Sequence, residues 1–263
     1  MNLDYWQKQT SSEPLFPDME WNKPERRDQA GRLGIIGGNK LGFAGVAEAY
    51  NTAVSVGAGE VRLLLPDALK KTIPKSITEV IYAPTTLSGG LAKDAYADMI
   101  SLSNWSQAIL LGGDAGRNSE TAVAYETFLA TYQGQVVITR DAVDLVLNSS
   151  EAVAMRADTS LVVSFAQLQK LFRTIYYPKV LTFNMQLLQL VEAIHKFTLT
   201  YPVQLCVLHK DTLVIAHGGQ VATMPWQNPM VIWRGILAAK ISTYTMWAPD
   251  KPFQSTCAAV LPS

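Results

Sequence analysis

Glycines grouped at the ends of apolar runs are the residues of this sequence best suited to chemistry. Gly31-Arg32-Leu33-Gly34-Ile35-Ile36-Gly37-Gly38-Asn39 is followed by Gly42, Gly45 and a small-residue stretch reaching Gly57-Ala58-Gly59. A strand that ends in Gly-Gly ahead of a helix lets backbone N–H groups approach a phosphate or another polar ligand. The same glycines suit a tight strand-to-helix turn with close packing and no ligand, so both readings stay open. The six-residue dinucleotide glycine spacing is not matched after this run, and no phosphate loop ending in Gly-Lys-Ser/Thr occurs. A second group, Gly112-Gly113-Asp114-Ala115-Gly116-Arg117, closes the apolar run that begins at Ala108.

Other chemical candidates are few. His209 and His217 flank one hairpin-like segment and could share a ligand, but no Cys or carboxylate pair accompanies them, so they are expected at the surface and no metal site is expected. Arg234 either meets a phosphate or extends into solvent. Trp226, Trp233 and Trp247 crowd the C-terminal region as core or interface aromatics, or with Trp233 filling a ligand slot. Asp67, Asp94 and Asp98 read as helix caps or exposed charges. Cys206 and Cys257 lie in apolar runs and read as core thiols, since two cysteines make neither a disulfide framework nor a zinc spacing.

The elements that must position these residues alternate short apolar runs with helix-length amphipathic stretches, the pattern of βα units in a mostly parallel sheet. Strands are expected at Leu33 to Ile36, Val61 to Leu65, Val80 to Tyr82, Ala108 to Leu111, Val136 to Ile138, Leu161 to Val163 and Val203 to Leu208. Helical spacing marks Ala44 to Val56, Leu91 to Ser103, Ser119 to Tyr132, Asp141 to Leu147, Leu181 to Phe197, Asn228 to Tyr244 and Gln254 to Val260. Thr212 to Ala216 and Gln220 to Thr223, joined through Gly218 and Gly219, predict a C-terminal antiparallel hairpin. No repeat or linker divides the chain: residues 31–263 are expected to form one domain, and residues 1–30 an irregular arm packed on a neighbour or on its own surface.

Composition narrows the partner. The 263 residues carry 22 Lys+Arg against 22 Asp+Glu, with 48% hydrophobic and 17% charged residues, which gives no electrostatic footprint for nucleic acid or an anionic membrane. No apolar run is long enough to span a bilayer, and residues 1–20 lack the apolar core of a secretory signal. The expected setting is the cytoplasm, and the expected partner a small molecule or another protein chain.

Taken in order, these motifs resemble the ATP- or ADP-dependent NAD(P)H-hydrate dehydratases. The run from Gly31 to Pro66 looks like that family's Gly-Arg strand, Gly-Gly-Ser turn, aromatic-Thr-Gly-Ala helix start and Gly-Ala-Gly, with Phe43-Ala44-Gly45-Val46 at the helix start. Ala108 to Arg117 resembles its strand ending in Gly-Pro-Gly-Leu-Gly, and Val136 to Val143, with Asp141, its strand ending in Asp-Ala-Asp-Ala-Leu. The resemblance implies a ribokinase-like α/β three-layer sandwich, a doubly wound sheet with helices on both faces. It implies substrate-side positions at Gly37, Gly38, Asn39, Gly45, Val46, Gly112, Gly116 and Ser164, and a cleft at the carboxyl ends of the strands closing with Ile36 and Leu111. The implied ligand is NAD(P)H-hydrate or a related nucleotide, the implied cofactor ATP or ADP with Mg2+, and assembly as a homo-oligomer, which an aromatic arm from Tyr5 to Trp21 could serve.

The family's reaction phosphorylates the ring hydroxyl of a hydrated nicotinamide so that phosphate can leave. It needs a carboxylate to take the hydroxyl proton and N–H groups at a helix N-terminus to hold the phosphoryl oxygens, both from Gly-Thr-Gly-Asp. Here Trp233-Arg234-Gly235-Ile236-Leu237-Ala238-Ala239 resembles the helix that follows, which puts Asn228-Pro229-Met230-Val231 in the motif's place. Val231 cannot accept a proton, and Pro229 lacks an N–H. Ser164 and Gln167 stand for the family's His and Glu, and His209-Lys210 for its Lys-Gly. The nucleotide side would thus consist of His209, Lys210, Asn228, Met230 and Arg234. Two functions follow from the resemblance: a dehydratase, a carbon–oxygen lyase, with an altered base, or a catalytically silent relative that binds a nucleotide-like ligand or a partner chain.

Overall fold

Short runs of Leu, Ile and Val bounded by Gly, Pro, Asp or Ser form a ten-stranded sheet in the computed structural model, which describes residues 3–74 and 77–261. In chain order the elements are β1 (Trp6–Lys8), β2 (Arg32–Gly37), α1 (Ala44–Val56), β3 (Glu60–Pro66), β4 (Val80–Ala83), α2 (Tyr96–Trp105), β5 (Ala108–Gly113) and α3 (Ser119–Thr131). They continue with β6 (Gln135–Thr139), α4 (Asp141–Val146), α5 (Ser150–Ala154), β7 (Thr159–Ser164), α6 (Phe165–Thr174) and α7 (Leu187–Thr200). β8 (Gln204–His209), β9 (Thr212–His217), β10 (Gln220–Pro225), α8 (Met230–Trp233), α9 (Ile236–Trp247) and α10 (Pro252–Ala259) close the chain.

The strand order is β1-β10-β9-β8-β7-β6-β5-β2-β3-β4. Pairing is parallel except where β9 runs antiparallel to β8 and β10, the expected C-terminal hairpin. Every residue of β5 is buried because helices cover both sheet faces. Ile36, Leu64, Ile109 and Leu111 point into one apolar layer with α2 to α7, while Leu33, Ile35, Leu63 and Leu110 point into the other with α1, α9 and α10. Both cysteines are core thiols, and burial pushes the Cys206 thiol up to about 12.

Four expectations need correction. The helix expected from Leu91 begins at Tyr96; Leu91 is instead fully buried and bridges Thr85. The helix expected from Leu181 begins at Leu187: the Met185 N–H closes a turn on the Thr182 carbonyl, and the Gln186 N–H donates to the Gln189 side chain at 3.0 Å where the helix starts. The closing helix is broken, α8 ending before Gly235, which takes φ +83° and turns the chain into α9. The arm is not wholly irregular: Trp6–Lys8 pairs with β10 in register Trp6 to Val221, Tyr5 stacks on His195 at 3.6 Å, and Gln9 donates to the Cys257 carbonyl at 2.9 Å. It packs on its own chain.

Candidate functional site

Parallel strands send their following loops to one edge of the sheet, and here the loops after β2, β5, β6 and β7 meet. Three adjoining hollows of about 350, 390 and 400 Å³ form a cleft there; Asp141 borders the first two, and Arg117 borders the first and third.

A charged knot stands at its centre. Asp114 accepts the Gly45 N–H at 2.6 Å in the first turn of α1 and pairs through its other oxygen with Arg140. Arg140 also donates to the Trp233 carbonyl at 2.8 Å, reaching the end of α8. The guanidinium lies so close over Gly45 that a Cβ there would collide with it, which is why a glycine is needed at this point of α1. The Asp114 and Arg140 side chains keep only 16% and 24% exposure, so the pair works in a partly desolvated setting. Arg140 takes φ +56°, ψ −140°, a conformation side-chain-bearing residues rarely adopt, and Gln167 braces it by donating to its carbonyl at 2.7 Å and to Asp144 at 2.9 Å.

Asp141 flanks the knot. One carboxylate oxygen accepts the Gly116 N–H at 2.9 Å, and the other is buried without a partner. Burial raises its pKa; the Gly116 bond and Arg140 oppose the rise, and Asp114 adds to it. A carboxyl group so placed can donate or accept toward a ligand in the cleft.

Asn39 and Gly116 line the cleft, beside Leu41, Gly42, Ser88 and Arg117. Gly38 donates to the Gly113 carbonyl at 2.9 Å, which places the two glycine turns together. Gly37, Gly38, Gly45 and Gly112 lie behind the lining rather than on it. Val46 is fully buried in the core beneath α1, so its side chain cannot reach a ligand. Ser164 borders the cleft but is occupied as the cap of α6, in a reciprocal capping box with Gln167.

The residues expected to hold a nucleotide do not converge. His209, expected at the surface, is 2% exposed, bonded to the Met185 carbonyl at 3.1 Å and packed on Phe165. His217 lies at the far end of the hairpin, roughly 17 Å of strand away, so the two histidines share no ligand. Lys210 is exposed in the β8–β9 turn. Asn228 caps the Met230 N–H at 3.1 Å and, with Val231, lines a separate groove beside Trp226 and Lys240; Met230 is exposed. Arg234 pairs with Glu48 at 3.3 Å on the surface. Trp233, 55% exposed, borders the cleft and fills no core slot. Where α8 meets α9 the residues do not fit ATP with Mg2+: Asn228 to Arg234 offer no carboxylate, Pro229 no N–H, and Arg140 is packed against the Trp233 carbonyl. Arg140 escaped the sequence reading, and Asp114, quoted there within its glycine run, was given no role; Gln167 was placed by the resemblance, but its bond to the Arg140 carbonyl was not foreseen.

The fold is the ribokinase-like α/β arrangement, a mostly parallel sheet with helices on both faces. A ribokinase-like superfamily protein of Enterococcus faecalis superimposes with TM-score 0.73 at 13% identity, over 98% of this chain and 87% of that one. The ADP/ATP-dependent NAD(P)H-hydrate dehydratase of Bacillus subtilis does so with TM-score 0.63 at 17% identity, over 94% and 86%. A phosphomethylpyrimidine kinase of Clostridium difficile gives 0.53 at 9%, over 86% and 97%. No protein-family model and no curated protein sequence matches the chain. No helix among the described residues is long and apolar enough to cross a membrane.

Proposed function

We infer that this protein is a non-catalytic relative of the NAD(P)H-hydrate dehydratases that holds a nicotinamide-nucleotide-like ligand in the cleft without phosphoryl transfer. The observation that carries this reading is the Asp114–Arg140 knot, which ties α1 to the end of α8. At that junction Arg140 is committed to Asp114 and the Trp233 carbonyl, Asp114 is in turn held by Arg140 and the Gly45 N–H, and Val231 offers no carboxylate to take a proton. The cleft keeps polar groups for a ligand: the Asn39 side chain, the loop at Gly116 and the Asp141 carboxyl.

The test is an assay with purified protein, hydrated NADH, ADP or ATP and magnesium, following reduced nicotinamide by its near-ultraviolet absorbance. No turnover above a no-protein control is expected, together with saturable NADPH binding by calorimetry that Gly42→Trp abolishes by filling the cleft mouth. Turnover would establish the altered-base dehydratase instead. Val231→Asp is expected to stay inactive, because proton abstraction supplies only about 10²–10⁴-fold and the side chain at 231 faces the Trp226 groove rather than the cleft.

A further inference from the structure

We propose that the hollow between α6 and the 175–186 segment, which adjoins the cleft at Lys170, is a second binding site that takes a nucleotide: an aromatic base carrying two or more phosphates. The hollow measures about 650 Å³, larger than any of the three that form the cleft and within the ordinary range for a bound small molecule. One wall is a single face of α6, on which Ala166, Gln169, Lys170 and Arg173 recur at helical spacing. The chain then folds back over it, held where Gln169 donates to the Leu181 carbonyl at 2.8 Å.

Charge selects an anion. The sequence from Thr159 to Val191 contains no Asp or Glu, but it carries Lys170, Arg173 and Lys179, all three at this hollow. Lys170 is paired with Asp144 at 3.3 Å on the side toward the cleft. Among the described residues Arg173 and Lys179 have no carboxylate within ion-pair distance, and both are exposed.

Shape selects an aromatic. Tyr176, Tyr177 and Phe172 line the same hollow as the cations. Tyr176 is 91% exposed and holds φ +54° at the end of α6, where Tyr177 N–H bonds back to the Phe172 carbonyl at 2.8 Å. That is the helix-terminating position glycine normally fills. A tyrosine kept there bears backbone strain and exposes its ring together, a combination that folding alone does not favour and a stacked base would compensate.

Titration calorimetry with ADP, adenosine and inorganic pyrophosphate tests this. ADP is expected to bind more tightly than either fragment. Arg173→Glu with Lys179→Glu should weaken ADP at least tenfold and leave adenosine unchanged, because only the phosphates meet the cations. Tyr176→Gly should weaken ADP about tenfold while raising the melting temperature by about 2–4 °C, a pairing that a merely structural tyrosine would not give. Gly42→Trp, which blocks the cleft, should leave ADP binding intact. The proposal is overturned by absence of saturable ADP binding at millimolar concentration, by pyrophosphate binding as tightly as ADP, or by ADP binding that survives the charge reversal and is lost in Gly42→Trp. Self-association that the charge reversal dissolves, without ADP binding, would also overturn it and assign this face to a second copy of the chain.

Discussion

A guanidinium and two carboxylates decide what this cleft can do. Asp114 serves two donors at once, the Gly45 N–H and Arg140, so Asp114→Ala leaves the Gly45 N–H without an acceptor and Arg140 without its counter-ion in a partly buried place. A loss of about 2–3 kcal/mol in urea unfolding is expected, with Asp114→Asn costing less because an acceptor for Gly45 remains. Combined with Arg140→Ala, the loss should fall short of the sum of the single losses; strict additivity would show that the two do not act as a unit. Asp141 gives a pH signature. Its folded pKa lies above the ordinary carboxylate value, so the folded state keeps a proton that the unfolded chain has released. Stability therefore falls as pH rises from the ordinary carboxylate range through the folded value. Asp141→Asn removes that loss and keeps an acceptor for Gly116. It should melt above the wild type at neutral pH, and the difference should close in acid; a difference that widens in acid would contradict the assignment.

At the scale of elements, the break between α8 and α9 shapes the junction. Gly235 takes φ +83°, and a Cβ there would meet its nearest neighbours, the Arg140 side chain and the Gly45 carbonyl, only at 3.6 Å. Space is available, so the cost of Gly235→Ala is almost wholly conformational, about 1–2 kcal/mol. Chemical denaturation should show that loss with an unchanged denaturant slope. A larger loss would mean that the α8–α9 turn cannot tolerate any side chain.

Across the whole molecule, the sheet closes its free edge with its own N-terminal arm. Trp6 donates to the Thr223 hydroxyl at 2.9 Å, Tyr5 stacks on His195, and Gln9 reaches the Cys257 carbonyl from a buried position. A variant lacking residues 1–9 should lose stability and, with β10 left as an open edge, aggregate on warming. Light scattering indistinguishable from the full chain would show that the arm is dispensable.

The order of strands from β2 to β10 was legible because buried strands must be short and continuously apolar, and most covering helices showed an apolar stripe; α5 and α6 were not foreseen. The two glycine turns were legible as neighbours because such strands deliver their loops to one edge. The boundaries that failed depend on local backbone choices: the turn from Thr182 to Met185 and φ +83° at Gly235 leave little trace in hydrophobic periodicity. The Asp114–Arg140 pair, 26 residues apart, and the bond from Gln167 to the Arg140 carbonyl could not be read, since long-range contacts carry no spacing signal. The sequence by itself determined the layer architecture and the identity of each side chain available to the cleft, because burial patterns and residue chemistry are local. Only the tertiary structure decided which polar groups meet in the cleft, that His209 is buried, and that Arg140 reaches the junction, because these depend on where distant loops are brought together.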